Sequence, residues 1–265
     1  MSVTTAGDGG IIRVGTAGWS LPRAVQDEFP GEGAHLARYA RVFPAAEINS
    51  SFHRPHKAGV YARWAAATPA SFRFAVKIPK AITHGQRLAG ADELLATFLA
   101  EAAALGDRLE CLLVQLPPSL ALDREVARRF FAALRERWPG GVVLEPRHET
   151  WFTTEASSML EEMGVGRVAA DPVRAAGGDV PAGWPGIAYY RLHGSPRTYY
   201  SSYQHDYIAA LADRLIAHRR AGVRSWCIFD NTASGAASGN ALELLRLLAG
   251  RERWRPGEAG ERAPA

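Results

Sequence analysis

The sequence predicts an α/β protein, a single TIM (β/α)8 barrel. Three observations predict it. Eight short β-branched or apolar runs alternate with amphipathic stretches, and eight parallel strands are the number that closes such a barrel. No Ser/Gly linker or low-complexity segment interrupts residues 11–249, which therefore read as one domain. A doubly wound open sheet would want a GxGxxG turn after its first strand, and VGTAGWS does not supply one.

The strands are expected at IIRVGT (11–16), AAEINS (45–50), FRFAVKIP (72–79), CLLVQLP (111–117), GVVLEP (141–146), GRVAADP (166–172), AYYRLHG (188–194) and SWCIFDN (225–231). Helical patterns fall between them, near 33–42, 58–67, 91–105, 123–137, 154–163, 204–221 and 236–249. In 123–137, Val126, Phe130, Phe131 and Leu134 recur along one helix face. One unit is defective. Residues 172–186 hold Pro172, Pro181, Pro185, Gly177 and Gly178 with no amphipathic period, so the sixth helix is expected to be degenerate or missing. Residues 1–10 and 250–265 are polar, Gly/Pro-rich and aperiodic, and read as mobile ends.

Composition narrows the class. With 265 residues, 47% hydrophobic and 22% charged, the chain is neither disordered, collagen-like nor a disulfide miniprotein. No apolar run reaches the roughly 20 residues of a membrane span, and MSVTTAGDGG lacks the features of a secretory signal, so a cytoplasmic location without membrane contact is expected. Cys111 and Cys227 form no CxxC, and they sit on strands that would face each other across a ring. Both are expected to be free thiols, since a disulfide needs Cα atoms within about 7 Å. A net charge of +4, without a dense Lys/Arg run, permits an anionic ligand but does not demand nucleic acid.

Polar residues gather at the strand ends. Trp19 follows the first strand. The others end in Glu47 and Asn49, Lys77, Gln115, Glu145, Asp171, Arg191 and His193, and Asp230 and Asn231. Side chains alternate along a strand, so Glu47 and Asn49 face one way, as do Glu145 and Arg147, and Arg191 and His193. In a barrel these ends share the face that carries the active site. Acid/base chemistry is the leading expectation, with Glu145 or Glu47 as base and His193 or His148 as proton donor. The same carboxylates could instead be ion partners of Lys77, Arg147 and Arg191. Lys77 could be a desolvated nucleophilic amine or the partner of Glu47.

Glu145, His148, Asp171, His193 and Asp230 would make a metal set if they converged, but no HxH or HExxH spacing supports it. No cofactor is predicted, and a divalent metal remains an alternative. Trp19, Phe52 and Trp151 could floor a pocket or bury the loops. After the seventh strand, Arg197, Tyr199, Tyr200, Tyr203 and Tyr207 fall close together. With Arg191 and the NTASGAASGN segment, Arg197 is expected to clamp a phosphate or carboxylate. Tyrosines beside arginines could also stack a base or a sugar.

The segments GTAGWS, EINSSFHR, FRFAVKIPKAITH, LVQLPPS, RHETWF, VAADP, YYRLHGS, YYSSY and CIFDNTASGAA resemble the YecE-like family, domain of unknown function 72. The resemblance runs from about residue 11 to residue 249 and implies a TIM barrel, but it implies no activity. The chain departs from the family's first motif at SLPRAVQDEFPG, where a Trp-containing segment ending in Phe-Tyr-Pro is usual. Three functions stay open: an enzyme acting on a small anionic substrate, a non-catalytic module for single-stranded nucleic acid, and a metal-dependent phosphodiesterase. Oligomeric state is not legible.

Overall fold

Each apolar run forms a strand in the computed structural model, which describes residues 10–252. They are β1 (Ile12–Thr16), β2 (Ala45–Ile48), β3 (Arg73–Lys77), β4 (Leu109–Gln115) and β5 (Gly141–Glu145). The sixth run splits at Val168 into β6 (Gly166–Arg167) and β7 (Ala169–Asp171). A two-residue β8 (Ala182–Gly183) precedes β9 (Ile187–Leu192) and β10 (Arg224–Phe229). The helices are α1 (His35–Tyr39), α2 (Ala58–Ala66), α3 (Asp92–Ala102), α4 (Arg124–Arg137), α5 (Thr154–Glu162), α6 (His205–Arg220) and α7 (Ala236–Glu252). Their starts follow local chemistry. Asp123 accepts a hydrogen bond from Val126 N–H to cap α4, and Thr153 does the same for α5 through Ala156 N–H.

The result is a mixed α/β fold built on parallel sheets. One sheet runs β1-β10-β9-β7 and the other β2-β3-β4-β5-β6-β8, with β8 alone antiparallel. The ladders thus make two sheets rather than one closed ring. They meet at two seams. At the first, β1 and β2 share a single parallel bridge, Ala17 to Glu47, beside a 2.8 Å bond from Gly18 N–H to the Glu47 carbonyl. At the second, the chain itself crosses, with β6 paired to β5 and β7 paired to β9.

The first seam is reinforced by a side chain. The Tyr39 hydroxyl accepts from Thr16 N–H at 2.8 Å and donates to the Ala45 carbonyl at 3.1 Å, so it stands where a ladder bond would be. Gly15 permits the approach, since a Cβ there would lie 2.1 Å from the Ala45 carbonyl oxygen.

The expected gap in the helices is present. Residues 172–186 contain no helix and instead send β8 back against β6. Gly183 lies at φ 70°, where a Cβ would meet the Val165 carbonyl at 2.5 Å, so the tight return needs glycine. Of the ends expected to be mobile, residues 1–9 and 253–265 lie outside the described range. Gly10 donates to the Arg219 carbonyl, and α7 continues to Glu252, past the expected end at 249.

Period-two alternation divides the apolar residues into two cores. Outward-facing residues such as Val76, Leu112, Leu144 and Tyr190 pack beneath the helices. Inward-facing Ala75, Leu113, Val143, Tyr189, Trp226 and Ile228 pack together between the sheets. Cys111 belongs to the inner core and Cys227 to the outer, and both are free thiols. Among the described residues no helix is long and apolar enough to cross a membrane.

Removing the Tyr39 hydroxyl strands two buried backbone groups while keeping the ring. Tyr39→Phe should therefore cost about 1–3 kcal/mol in denaturant unfolding, and an unchanged midpoint would refute the seam's dependence on it.

Candidate active site

The inner face changes character at the carboxyl ends of the strands. One register step beyond the inner apolar residues come Glu47, Lys77, Glu145, Arg191 and Asp230, and beyond Arg191 comes His193. All six are buried, and Arg147 sits at their edge, half-buried. Charges this far from water need partners.

Arg191 is the hub, at 1% exposure. Its Nη2 donates to Glu47 Oε1 at 2.7 Å, and its Nε lies 3.1 Å from Glu47 Oε2. Nη1 reaches Glu145 Oε2 at 3.2 Å, and Nη2 also stands 3.0 Å from Asp230 Oδ2. Tyr189 donates its hydroxyl to Glu47 Oε2 at 2.9 Å. Arg147 Nη2 donates to Glu145 Oε1 at 2.7 Å. His193 links two carboxylates, with Nε2 2.9 Å from Glu145 Oε1 and Nδ1 3.0 Å from Asp230 Oδ2.

These partners decide the titration. Burial works against the charge on Glu145, but Arg191, His193 and Arg147 outweigh it and hold the carboxyl well below its ordinary range. Asp230 is lowered in the same way, with Arg191 again the main counterweight to burial. Burial also opposes the Arg191 charge, and Asp230, Glu47 and Glu145 overcome it, raising its pKa.

Lys77 is the exception. The expected Lys77–Glu47 ion pair does not form, because Arg191 and Tyr189 occupy both Glu47 oxygens. No carboxylate oxygen lies within 4.0 Å of the Lys77 ammonium among the described residues, and it rests over the Phe52 ring at 4.0 Å. Burial, with Arg191 adding to it, pushes the Lys77 pKa down to about 8 against the opposing pull of Glu47, Glu145 and Asp230. Phe52 is held there by its neighbour: the Ser51 hydroxyl, which lies 2.6 Å from the Lys77 carbonyl and 3.0 Å from that of Ile48.

The sequence reading missed one residue that belongs here. His84 lies on a π-helical turn, Ala81–Gly85, with its ring edge-on to Phe52 at 5.0 Å. Its Nδ1 pairs with the buried Thr83 hydroxyl at 2.9 Å. Burial lowers its pKa, and Lys77, Arg147, Lys80 and His53 all push the same way. Its environment is therefore cationic. The available signal was the THG of KIPKAITHG, but no strand-end rule reaches a helix after the strand. Single π-helical turns are rare and recur at functional sites.

Several expected site residues stand apart. Asp171 faces the opposite side of its strand, where it accepts the Tyr203 hydroxyl at 2.7 Å. An odd-numbered step along β7 pairs it with the outer core rather than with Val168 and the inner one. His148 caps the short turn Glu149–Trp151, accepting from Thr150 N–H, and takes no part in the ion network. The five residues considered as a metal set therefore do not converge, and among the described residues no such cluster is present.

Gln115 is half-buried, in register beside Glu145. Trp19 packs on Trp64 and Phe74, and with Asn49 it lines a separate 420 Å³ cleft over the first seam. Trp151 is buried, its indole N–H donating to the Leu120 carbonyl. Asn231 is also buried, donating to the Ser201 carbonyl and to Asn240 at 2.9 Å each.

The expected anion clamp is not assembled. Arg191 is already enclosed by three carboxylates, while Arg197 is exposed and stacks on Tyr200 at 4.0 Å. The Ser234 hydroxyl is taken up by the Tyr200 carbonyl. Tyr199 is exposed at the rim, with φ 70° and its ring edge-on to His193 at 5.8 Å.

Fold and site together define a parallel-sheet α/β protein with a buried ion network at its strand carboxyl ends and a buried Lys77 amine that has no carboxylate partner among the described residues. The chain belongs to the family described as protein of unknown function DUF72, whose model matches residues 13–263. The YecE protein of Escherichia coli K12, UPF0759, is 31% identical over 175 residues, covering 63% of this chain and 62% of YecE. The match thus spans less than two thirds of that relative's length. A DUF72 protein of Thermotoga maritima has a similar structure, with TM-score 0.74 and 25% identity over 90% of this chain and 99% of its own. Another, from Enterococcus faecalis, has TM-score 0.76 and 21% identity over 90% and 96%. These likenesses support the fold.

Two outcomes follow. Glu145→Gln leaves Arg191 and His193 underpaired, so it should cost about 3–5 kcal/mol in denaturant unfolding near pH 7. Because Glu145 is ionised in the native state below its ordinary range, its contribution should vanish as pH falls through that lowered value, narrowing the gap between wild type and variant. Lys77 instead opposes folding at pH 7. Between about 8 and its ordinary 10.5, the unfolded lysine holds a proton that the native one has released, so native stability rises with pH. Lys77→Met should be more stable than wild type by about 1–3 kcal/mol at pH 7, and the advantage should shrink towards pH 10.5. A constant difference across that window would refute the buried-ammonium account.

Proposed function

We propose that the two sheets act as one (β/α)8 barrel, and that this protein is an enzyme doing acid/base chemistry on a small anionic substrate at the strand carboxyl ends. The observation that carries the reading is the unpaired Lys77 amine, buried among fixed charges with its pKa near 8. A group that gains and loses a proton close to neutral pH suits general acid/base work. Burial and a neighbouring cation are the ordinary means of obtaining such a lysine.

In this reading Arg147 receives the substrate's anionic group at the mouth with His84 beside it, since Lys77 and Arg147 both act on His84 and neither Arg147 nor His84 is enclosed by carboxylates. Lys77 accepts the substrate proton as the free amine and returns it as the ammonium. Glu47, Glu145, Asp230 and His193 are buried and each contacts Arg191, and they act by positioning. Through Glu145, which both contact, His193 holds Arg147 at the rim. Arg197, Tyr199 and Tyr200 support a second reading, single-stranded nucleic acid stacking at the rim.

Calorimetric titration with phosphate and with acetate tests the first reading. Wild type should bind at least one of the two saturably. Losing a charged hydrogen bond costs about 1.5–3 kcal/mol, so Arg147→Met should weaken binding by about ten- to a hundredfold. Arg197→Ala and the surface control Arg128→Ala should leave it unchanged. No binding by wild type, or equal weakening in all three variants, would overturn the anion site. Salt-steep oligonucleotide binding that is lost in Arg197→Ala would favour the second reading instead.

A further inference from the structure

The cations of the network are not equivalent. Arg191 and Arg147 each hold a carboxylate oxygen at 2.7 Å. Among the described residues Lys77 holds none within 4.0 Å, although three carboxylates lie around it. Each is otherwise engaged: Glu47 by Arg191 and Tyr189, Glu145 by Arg147, Arg191 and His193, and Asp230 by Arg191 and His193. What faces the amine is the Phe52 ring at 4.0 Å, with His84 at that ring's edge. A ring face binds an ammonium far less firmly than a carboxylate does and does nothing to block the nitrogen lone pair once the proton leaves. Competing nucleophiles are lacking in the thiols, since Cys111 and Cys227 are fully buried and burial pushes both up.

We propose that Lys77 forms a covalent imine with the carbonyl carbon of a small oxo-acid, a compound whose ketone or aldehyde adjoins a carboxylate. This deepens the proposed acid/base site and rests on it. The free amine of Lys77 attacks the carbonyl carbon, forming the C–N bond, and a proton passes from nitrogen to the carbonyl oxygen to give the carbinolamine. The C–O bond then breaks, the oxygen leaves as water with one further proton, and the nitrogen lone pair completes the C=N bond of the protonated imine. No electrons are gained or lost. Arg147 offers the carboxylate of the oxo-acid its counter-charge, with the neutral His84 ring beside it, and Arg191 keeps a positive charge near the amine that favours its neutral form.

The chain suits a direct test because it holds only three lysines, Lys57, Lys77 and Lys80. The full-length protein is incubated with glyoxylate and sodium borohydride at pH 7, then read by intact mass and peptide mapping. Borohydride delivers hydride to the imine carbon and fixes the adduct as a secondary amine. One lysine adduct is expected per chain, on Lys77, with any adduct on the α-amino group mapped separately, and it should exceed labelling of the 88%-exposed Lys57 by at least about tenfold because an ordinary lysine is almost wholly protonated at that pH. The lysine adduct should be absent from Lys77→Met and retained in Lys80→Ala. Adducts spread evenly over the three lysines, or no adduct, would overturn the imine. If acetate still binds wild type saturably while no adduct forms, only the imine fails and the anion site stands. If neither phosphate nor acetate binds and no adduct forms, both fail together.

Discussion

Three carboxylates surround one guanidinium in the interior of this protein, and the arrangement of the strand ends follows from how that guanidinium is satisfied. Arg191 enters from β9, Glu47 from β2, Glu145 from β5 and Asp230 from β10. The planar fork of an arginine can serve several oxygens at once, where a lysine's point charge could not hold the same geometry. Because β9 and β10 belong to one sheet and β2 and β5 to the other, the same contacts also tie the two sheets together above their separate ladders. Such a network stabilises little relative to an apolar core, but it is costly to break at a single member. It is better read as a device that keeps specific groups in place.

The device has a consequence for chemistry. Glu47 and Glu145 look like general bases by residue type, yet Arg191, His193 and Arg147 hold Glu145 ionised against its burial, and Glu47 is enclosed by Arg191 and Tyr189. Lys77 looks like their salt-bridge partner, yet an arginine already engages each of the three carboxylates around it. The side chain left without a carboxylate partner among the described residues is therefore the lysine, and nearby His84 is kept from charging by burial and by the cations Lys77 and Arg147. An acidic-looking ring thus presents a basic opening. This inversion comes from competition for partners, which no residue's identity alone discloses.

The eight strands, the order of the helices and the missing sixth helix could be read from alternating apolar runs and from the prolines of 172–186, because burial periodicity and proline's lost N–H act locally. The clustering of Glu47, Lys77, Glu145, Arg147, Arg191, His193 and Asp230 was legible for a related reason: parallel strands bring their carboxyl ends to one side. Asp171 was misplaced by the same rule. A strand that breaks at Val168 and changes partner sheets puts Asp171 on the outer face, a parity that composition does not reveal. His84 was missed because it lies beyond the strand end, on a turn whose π geometry has no clear sequence mark.

Pattern and spacing were enough to specify which residues form strands, which faces are apolar and at which end the charges collect, since each depends on near neighbours along the chain. Pairing was decided only in three dimensions. Which carboxylate Arg191 takes, that Tyr39 bridges the seam in place of a ladder bond, and that Lys77 is left without an anion all involve residues far apart in sequence. Buried charges choose partners by distance and by desolvation, and both quantities exist only once the chain has folded.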